Sequence, residues 1–311
     1  MILVVGGMGF LGCNLGRYLA EIGQTCVLTR HRTSRIPGFL EPHVGKQVYI
    51  APCDMNDRSQ VEALVHEHAV TSIIHAAHAG FYHDAEGLYN VAYANIVGTL
   101  NVLAVATPNR LRVTLVSSMM VYKGLPAPWS EDVPVTFDAQ STASCKRAAE
   151  NVAHLYRVEQ GLDCRIVRPS AMYGPNYSSG RNPALAMVEA AAARRSIELP
   201  GASAHAGYDY VFVRDAARAI AEVHVADSLP HHIYNIGGGR FTTNQDFADV
   251  LTRSRGISLK FGDASAQPDG GYSNLDRIRR DLGIVPEYDV ERGTLDWLRY
   301  VESGGQAYLD N

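Results

Sequence analysis

The sequence predicts an α/β fold in which a doubly wound parallel sheet is followed by a smaller C-terminal lobe. Short runs rich in Val, Ile and Leu alternate with longer amphipathic segments, and this alternation is typical of a parallel sheet covered by helices on both faces. The second observation in favour of this fold is a glycine-rich loop between the first apolar run and the first amphipathic segment. The runs span residues 2–5, 25–28, 48–50, 72–75, 112–117 and 164–167, and the segments span 11–22, 58–68, 88–106 and 142–160.

The glycine-rich loop has the sequence Gly-Gly-Met-Gly-Phe-Leu-Gly over residues 6–12. Glycines at this spacing, after a strand and before a helix, allow a tight turn, close approach of the backbone to a pyrophosphate, and close packing of helix on strand. The helix N-terminus adds a partial positive charge of roughly half a unit. We therefore predict a Rossmann-type dinucleotide site that is formed by Gly6, Gly9, Phe10, Leu11 and Gly12.

The alternation becomes less regular after Pro169, so the chain is divided there. A loop is predicted over residues 174–180, helices over 183–195, 215–225 and 244–253, and a final helix that contains Trp297. Residues 1–168 are predicted to form the NAD(P)-binding domain. Residues 169–311 are predicted to form a substrate-binding lobe, partly interleaved with that domain.

Composition and charge argue against several other classes of protein. The chain has 311 residues, of which 46% are hydrophobic and 19% charged, enough for one large core or two joined lobes. The net charge is −4 and the basic residues are scattered, so binding to nucleic acid or to a membrane surface is not expected. No run of about 18 apolar residues predicts a membrane span. The five cysteines show no metal-like pairing and are expected to be free thiols in a cytoplasmic protein.

Two further motifs accompany the glycine-rich loop. Ser117-Ser118 is followed by Val121-Tyr122, and Lys146 lies on a predicted helix. With the glycine spacing, these motifs resemble the extended short-chain dehydrogenase/reductases, the NAD-dependent epimerase/dehydratase family, over nearly the whole chain. The resemblance implies an enzyme with a dinucleotide cofactor and a small-molecule substrate. It also implies cofactor contacts from Asp54, Met55, Ala76, Ala77, His78, Asn95, Lys146, Pro169 and Met172.

The end of the second predicted strand bears on the choice of cofactor. NAD enzymes of this fold usually carry a carboxylate there that binds the adenosine ribose. Residues 27–32 contain no acid but include Arg30 and Arg32. An arginine can bind a ribose 2′-phosphate through two parallel hydrogen bonds, so NADP(H) is predicted in preference to NAD(H). The alternative is that both arginines are ordinary solvent-exposed loop charges.

The catalytic positions implied by the resemblance are Ser118, Lys146 and a tyrosine four residues before the lysine. Thr142 stands in the place of that tyrosine. A threonine hydroxyl is far less acidic than a tuned tyrosine, so another proton donor is required. The alternatives are a water held by Thr142 and Lys146, an acidic hydroxyl of the substrate, a histidine, or another tyrosine. The candidate side chains are His78, His83, Tyr82, Tyr173, Tyr177 and Tyr208, and no metal site is expected from His75, His78 and His83.

The substrate pocket is predicted to include Met119, Met120, Tyr173 and Tyr208. The two methionines replace the acidic pair that dehydratases of the family need, which argues against dehydration. Tyr208 replaces an arginine that often binds the diphosphate of a nucleotide sugar. Three functions therefore stay open: an oxidoreductase or epimerase acting on a secondary alcohol or ketone of a modified sugar, a reductase of an aromatic or polyketide-like ketone that supplies its own proton, and a non-catalytic NADP-binding scaffold or sensor.

The helices predicted over residues 88–106 and 142–160 carry apolar residues on more than one face. In enzymes of the resembled family, this pair of helices forms a four-helix contact between two subunits. A homodimer is therefore predicted; the alternative is that both helices pack only on their own sheet.

Overall fold

A computed structural model describes residues 1–33, 35–79, 84–134, 141–177, 183–262 and 270–305. It confirms the predicted fold class, with a central parallel sheet and a smaller second lobe. The strands are β1 (Ile2–Val5), β2 (Cys26–Arg30), β3 (Val48–Pro52), β4 (Ser72–His75), β5 (Arg112–Val116), β6 (Cys164–Pro169), β7 (Ala171–Tyr173), β8 (Ile197–Leu199), β9 (Gly207–Phe212), β10 (Ile233–Ile236), β11 (Phe241–Thr243) and β12 (Leu259–Phe261). The helices are α1 (Phe10–Glu21), α2 (Arg58–Glu67), α3 (Ala85–Ala106), α4 (Ser141–Gln160), α5 (Pro183–Ala192), α6 (Val213–Val225), α7 (Asn244–Arg255), α8 (Asp276–Leu282) and α9 (Val290–Glu302).

The central sheet has seven parallel strands in the order β10-β6-β5-β4-β1-β2-β3. Apolar side chains of α1 and α6 cover one face, and those of α2, α3 and α4 cover the other. The inner strands β1, β4, β5 and β6 are buried on both faces, which is why they are nearly continuous apolar runs, whereas the edge strand β3 is partly exposed. The carboxyl ends of all seven strands lie at one edge of the sheet, where ligands bind in folds of this type.

The second lobe packs around an aromatic core. Its small sheet has the order β11-β9-β7, and β8 pairs with β12 in a separate ribbon. Helices α5, α7 and α9 close the core, which includes Tyr173, Phe212, Phe247 and Trp297. The predicted final helix that contains Trp297 is α9, and Trp297 is buried.

Strand β10 corrects one assignment made from the sequence. Residues 234–237 were assigned to the substrate lobe, but β10 pairs with β6 and completes the central sheet, with Tyr234 beside Val167. Helix α6 likewise packs on that sheet. The sequence reasoning missed the strand because its four residues include the polar Asn235 and so do not form a continuous run of Val, Ile and Leu. The chain therefore enters the second lobe, returns to the first and leaves it again.

A buried polar network fastens β6 to α4 and β10. The Arg168 guanidinium donates to both carboxylate oxygens of Glu150, at 3.0 and 2.6 Å, and to the Tyr122 hydroxyl at 2.7 Å. Tyr122 in turn donates to Asn235 Oδ1 at 2.7 Å. All four side chains are buried, so each must find partners inside the protein.

Helix α3 is long and apolar enough, by length and composition alone, to cross a membrane. Eight of its residues are buried, among them Val91, Val102 and Leu103. Because the last two belong to the core beneath the central sheet, the apolar character of α3 has a structural cause in the fold itself.

Candidate active site

The glycine-rich loop forms a cradle between β1 and α1. Gly6 has a positive φ of 80°, and its amide donates to the Thr29 hydroxyl at 2.8 Å, which ties the loop to β2. A Cβ at Gly12 would collide with the carbonyl oxygens of Gly6 and Gly7. Because Gly9 is the N-cap of α1, the first-turn amides of Phe10 and Leu11 have no carbonyl partner within the helix. The loop therefore fits the diphosphate of a dinucleotide.

The residues predicted to meet the adenosine lie around the ends of β2 and β3. Arg30 is half-buried and Arg32 is exposed. His31 lies between them, with Nε2 3.8 Å from Asp54 Oδ2. The sequence reasoning did not single out His31. Asp54 also accepts from the Asn56 amide at 2.9 Å.

Met55 follows Asp54 in the loop after β3. The side chain packs beneath Gly98, where an added Cβ would lie 3.0 Å from its sulfur. Asn101 donates to the Met55 carbonyl at 3.0 Å and so fixes this loop to α3. Helix α3, through Asn101, and the loop after β3 therefore form one wall of the predicted adenosine site.

The chain after β4 passes directly beside the glycine-rich loop. Ala76 donates to the Val5 carbonyl at 2.8 Å, and Ala77 lies against Gly6 so closely that no Cβ fits at Gly6. His78 follows, with Nδ1 3.2 Å from Asn95 Oδ1. Pro169 ends β6, and Met172 lies in β7.

Ser118 and Lys146 lie at the carboxyl end of β5. Ser118 is the N-cap of a 3₁₀ turn, Met119–Tyr122, and its Oγ accepts from the Met120 amide at 3.2 Å. Lys146 Nζ donates to the Val116 carbonyl at 2.9 Å. Burial lowers the pKa of Lys146 to about 8, because the charged form loses solvation.

A second basic side chain fixes the relation between the 3₁₀ turn and α4. Arg147 is buried, and its Nε donates to the Val121 carbonyl at 3.0 Å. Ser118 at the start of the turn and Lys146 on the helix are thereby held in a defined relation. The sequence reasoning missed Arg147, because nothing in the sequence shows that this arginine is buried.

Thr142 lies on α4 one turn before Lys146 and is partly buried. The helical spacing puts both residues on the same face, as predicted. The role of Thr142 stays a prediction from the sequence: it offers an aliphatic hydroxyl at the position where the family pattern has the phenol of a tyrosine.

The residues predicted to line the substrate pocket have different surroundings. Tyr173 is a correction: it lies in the aromatic core of the second lobe, and its hydroxyl donates to the Asp289 carbonyl at 3.3 Å. Its burial excludes it both as a pocket residue and as a proton donor. Met119 is buried beside Trp129, Met120 is half-buried, and Tyr208 on β9 is exposed.

Tyr177 packs edge-on against Phe10 and Trp297, so it joins the two lobes near the start of α1.

Tyr82 and His83, the other candidate donors, lie outside the described residues. Within the described ranges, no group of three His, Cys, Asp or Glu side chains is arranged to hold a metal ion. The five cysteines are free and buried.

The class of protein follows from comparison with known families. The model of the NAD dependent epimerase/dehydratase family matches residues 2–237. The chain belongs to this family, and it is an enzyme of the extended short-chain dehydrogenase/reductase type.

Several relatives are similar over nearly their whole length. The chain is 25% identical to UDP-glucuronate 4-epimerase from Thermodesulfobacterium geofontis, with 95% of each chain covered. It is also 25% identical to dTDP-glucose 4,6-dehydratase from Escherichia coli, with 99% of this chain and 96% of the relative covered. Among solved structures, UDP-glucuronic acid 4-epimerase from Bacillus cereus, with UDP-glucuronic acid and NAD, has a TM-score of 0.82 at 17% identity, with 97% and 99% covered.

Proposed function

We propose that this enzyme oxidises and reduces a secondary alcohol carbon of a nucleotide-linked sugar, as an epimerase or oxidoreductase, with a proton donor other than tyrosine. The observation that carries the proposal is that Lys146 and Ser118 both lie at the end of β5, at the same edge of the sheet as the glycine-rich loop that follows β1. The names of the relatives, which describe enzymes of UDP- and dTDP-sugars, support the substrate class.

The bound dinucleotide would supply the hydride chemistry, held by the glycine-rich loop and Lys146. The chain's own residues handle the reacting oxygen. The Ser118 hydroxyl would donate a hydrogen bond to it, and the Lys146 ammonium would stabilise negative charge that develops there. Since Tyr173 is buried elsewhere, the remaining sources of the proton include a water held by Thr142 and Lys146 and a hydroxyl of the substrate.

Dehydration is not part of this proposal. Met119 and Met120 occupy the first positions of the 3₁₀ turn, where a dehydratase needs an acid and a base. A thioether can neither donate nor remove a proton, so elimination of water has no catalyst at these positions.

The proposed function is tested with UDP-glucuronate, UDP-glucose and dTDP-glucose, each incubated with the enzyme and NADP⁺ or NAD⁺ and followed by NMR of the sugar. We expect inversion or oxidation at one sugar carbon with at least one of them. The matched controls are the free sugars and the free nucleotides. Turnover of an aromatic ketone with an adjacent acidic hydroxyl, but of no nucleotide sugar, would contradict the proposal.

We also propose that the enzyme prefers NADP(H), although relatives are described with NAD. Support comes from the end of β2, where Thr29 turns its hydroxyl to the Gly6 amide and Arg30, His31 and Arg32 follow without a carboxylate. A 2′-phosphate would meet two guanidinium groups there, whereas a ribose diol would lack its usual acceptor.

NADPH should bind about tenfold or more tightly than NADH, because charge-assisted hydrogen bonds to the 2′-phosphate are worth about 1.5–3 kcal/mol. Arg30→Ala should remove most of this difference in calorimetric dissociation constants. Arg110→Ala is the control, since this exposed arginine precedes β5 at the opposite edge of the sheet. Equal dissociation constants for the two cofactors in the unmodified enzyme would refute the preference.

The pH dependence should follow the Lys146 ammonium. Its pKa is about 8, below the ordinary 10.5, so the positive charge is present below pH 8 and is lost as the pH rises through that value. We expect kcat/KM for ketone reduction to fall above about pH 8. The Thr142→Val enzyme should keep this decrease in kcat/KM above pH 8. The Lys146→Arg enzyme should not show it, because arginine stays charged. A profile that is flat to pH 10 in the unmodified enzyme would rule out this role.

We further propose a homodimer formed through α3 and α4. Large apolar side chains are exposed on both helices, with Tyr89 60%, Leu155 55% and Val158 58% exposed. An apolar surface of this kind is typical of an interface. A dimeric mass is expected by light scattering at micromolar concentration, and Leu155→Arg should shift it to that of a monomer. Val285→Arg, at an exposed valine remote from these helices, should not change the mass.

A further inference from the structure

The amide of Asn95 has a fixed orientation. Its Nδ2 lies 2.9 Å from the Ala79 carbonyl and 2.8 Å from the Val91 carbonyl. Both of these oxygens can only accept, so they require the NH₂ group of Asn95, and its two hydrogens are used. The amide oxygen must then face the third neighbour, which is His78.

This orientation determines the tautomer of His78. Asn95 Oδ1 can only accept, and it lies 3.2 Å from His78 Nδ1. The hydrogen of the neutral ring therefore sits on Nδ1, and Nε2 carries an unprotonated lone pair. Asn95 acts here as the partner that selects one of the two forms of the ring.

The ring also stays neutral at ordinary pH. Loss of solvation and the Lys146 ammonium lower the pKa of His78 to about 4, although the residue as a whole is exposed. The neighbouring His75 has its own pKa lowered to about 3 by burial, so it adds no charge. His78 thus presents an acceptor, and no acidic hydrogen, at Nε2.

The position of His78 limits what this acceptor can meet. The residue follows Ala77, which lies against Gly6 of the glycine-rich loop, and its ring is within the electrostatic influence of Lys146. A phosphate carries no hydrogen to donate, so a lone pair there does not recognise it. A hydroxyl group does donate, and both the ribose of a dinucleotide and a sugar substrate carry several.

We propose that His78 Nε2 accepts a hydrogen bond from a ligand hydroxyl at the carboxyl edge of the central sheet, with Asn95 holding the ring in the tautomer that makes this possible. The inference rests on the proposed function, and it removes His78 from the candidate proton donors. The hydroxyl belongs either to the dinucleotide or to the sugar, and the two sources are separated by experiment.

The tautomer is measured without any ligand. Long-range ¹H–¹⁵N NMR of the full-length protein, with the His78 signals identified by their loss in His78→Gln, should show a protonated Nδ1 and an unprotonated Nε2 from pH 6 to 8. A ring protonated at Nε2, or one that titrates near the ordinary value of about 6.5, would overturn the proposal.

Binding is measured with two variants that each keep one half of the imidazole. His78→Asn retains a polar atom near the place of Nδ1 and loses the distal acceptor, whereas His78→Gln retains an acceptor near the place of Nε2. We expect the asparagine variant to bind its ligand about five- to tenfold more weakly and the glutamine variant less than about threefold more weakly, the range of one hydrogen bond.

The probes are NADPH, NADH, and UDP-glucuronate added to the enzyme saturated with dinucleotide. A loss in dinucleotide binding assigns the hydroxyl to the cofactor, and a loss confined to UDP-glucuronate assigns it to the sugar. If the two variants bind every probe equally well, the proposal is wrong while the proposed function stands. A protein that binds neither dinucleotide would refute the proposed function instead, since the NMR assignment needs no ligand.

Discussion

Lys146→Ala is expected to lower kcat/KM by about 10²–10³-fold, the range seen when a group that stabilises developing negative charge is removed. Lys146 is buried at the end of β5, with its Nζ held on the Val116 carbonyl. Alanine would remove both the positive charge and a side chain that we propose to hold the cofactor. Steady-state kinetics with NADPH and the substrate identified by NMR provide the measurement.

The matched comparison is Thr142→Val, one helical turn away. If the proton reaches the substrate without Thr142, this isosteric change should cost less than about tenfold, well short of the 10²–10⁴ expected for a general acid. Ser118→Ala should fall between the two, since it removes one hydrogen bond to the reacting oxygen. A Thr142→Val enzyme as impaired as Lys146→Ala would show that Thr142 anchors a relay water and would remove the support for protonation by the substrate.

The reciprocal substitution addresses the missing tyrosine directly. Thr142→Tyr should give no gain in rate, because a pocket that works through another donor gains nothing from a second acid. A clear increase in kcat would contradict this expectation and would show that the site still has room and use for a phenol.

Glu150→Ala is expected to lower the free energy of unfolding by about 3–5 kcal/mol, because it leaves the buried Arg168 guanidinium without its carboxylate partner. Arg168 and Glu150 are joined by two hydrogen bonds, at 3.0 and 2.6 Å, and both are buried. Urea denaturation provides the measurement.

Glu159→Ala is the matched control, since this exposed glutamate lies on the same helix and should change stability by less than about 0.5 kcal/mol. Glu150→Gln should fall between, because the amide keeps one hydrogen bond but not the charge. A loss of less than about 1 kcal/mol for Glu150→Ala would mean that water or another acid compensates Arg168.

The sequence predicted what depends on local pattern. The apolar runs predicted the parallel sheet correctly, and the glycine-rich sequence over residues 6–12 predicted the loop between β1 and α1. Both features depend on residues that are neighbours in the sequence. Tyr173 was misjudged because its burial depends on Phe247 and Trp297, which are distant in the chain. The same holds for the tautomer of His78, which is decided by three contacts of Asn95.

The return of the chain to β10 has a consequence for how the protein forms during synthesis. A nascent chain that has reached only residue 169 ends with β6, whose outer hydrogen-bonding edge is filled later by residues 233–236. Until then β6 is an open edge strand, the kind of surface on which other strands add. The nucleotide-binding half therefore matures only after β7, α5, β8 and β9 of the second lobe have been made. A fragment cut at the apparent boundary would expose an aggregation-prone edge rather than yield a smaller stable domain.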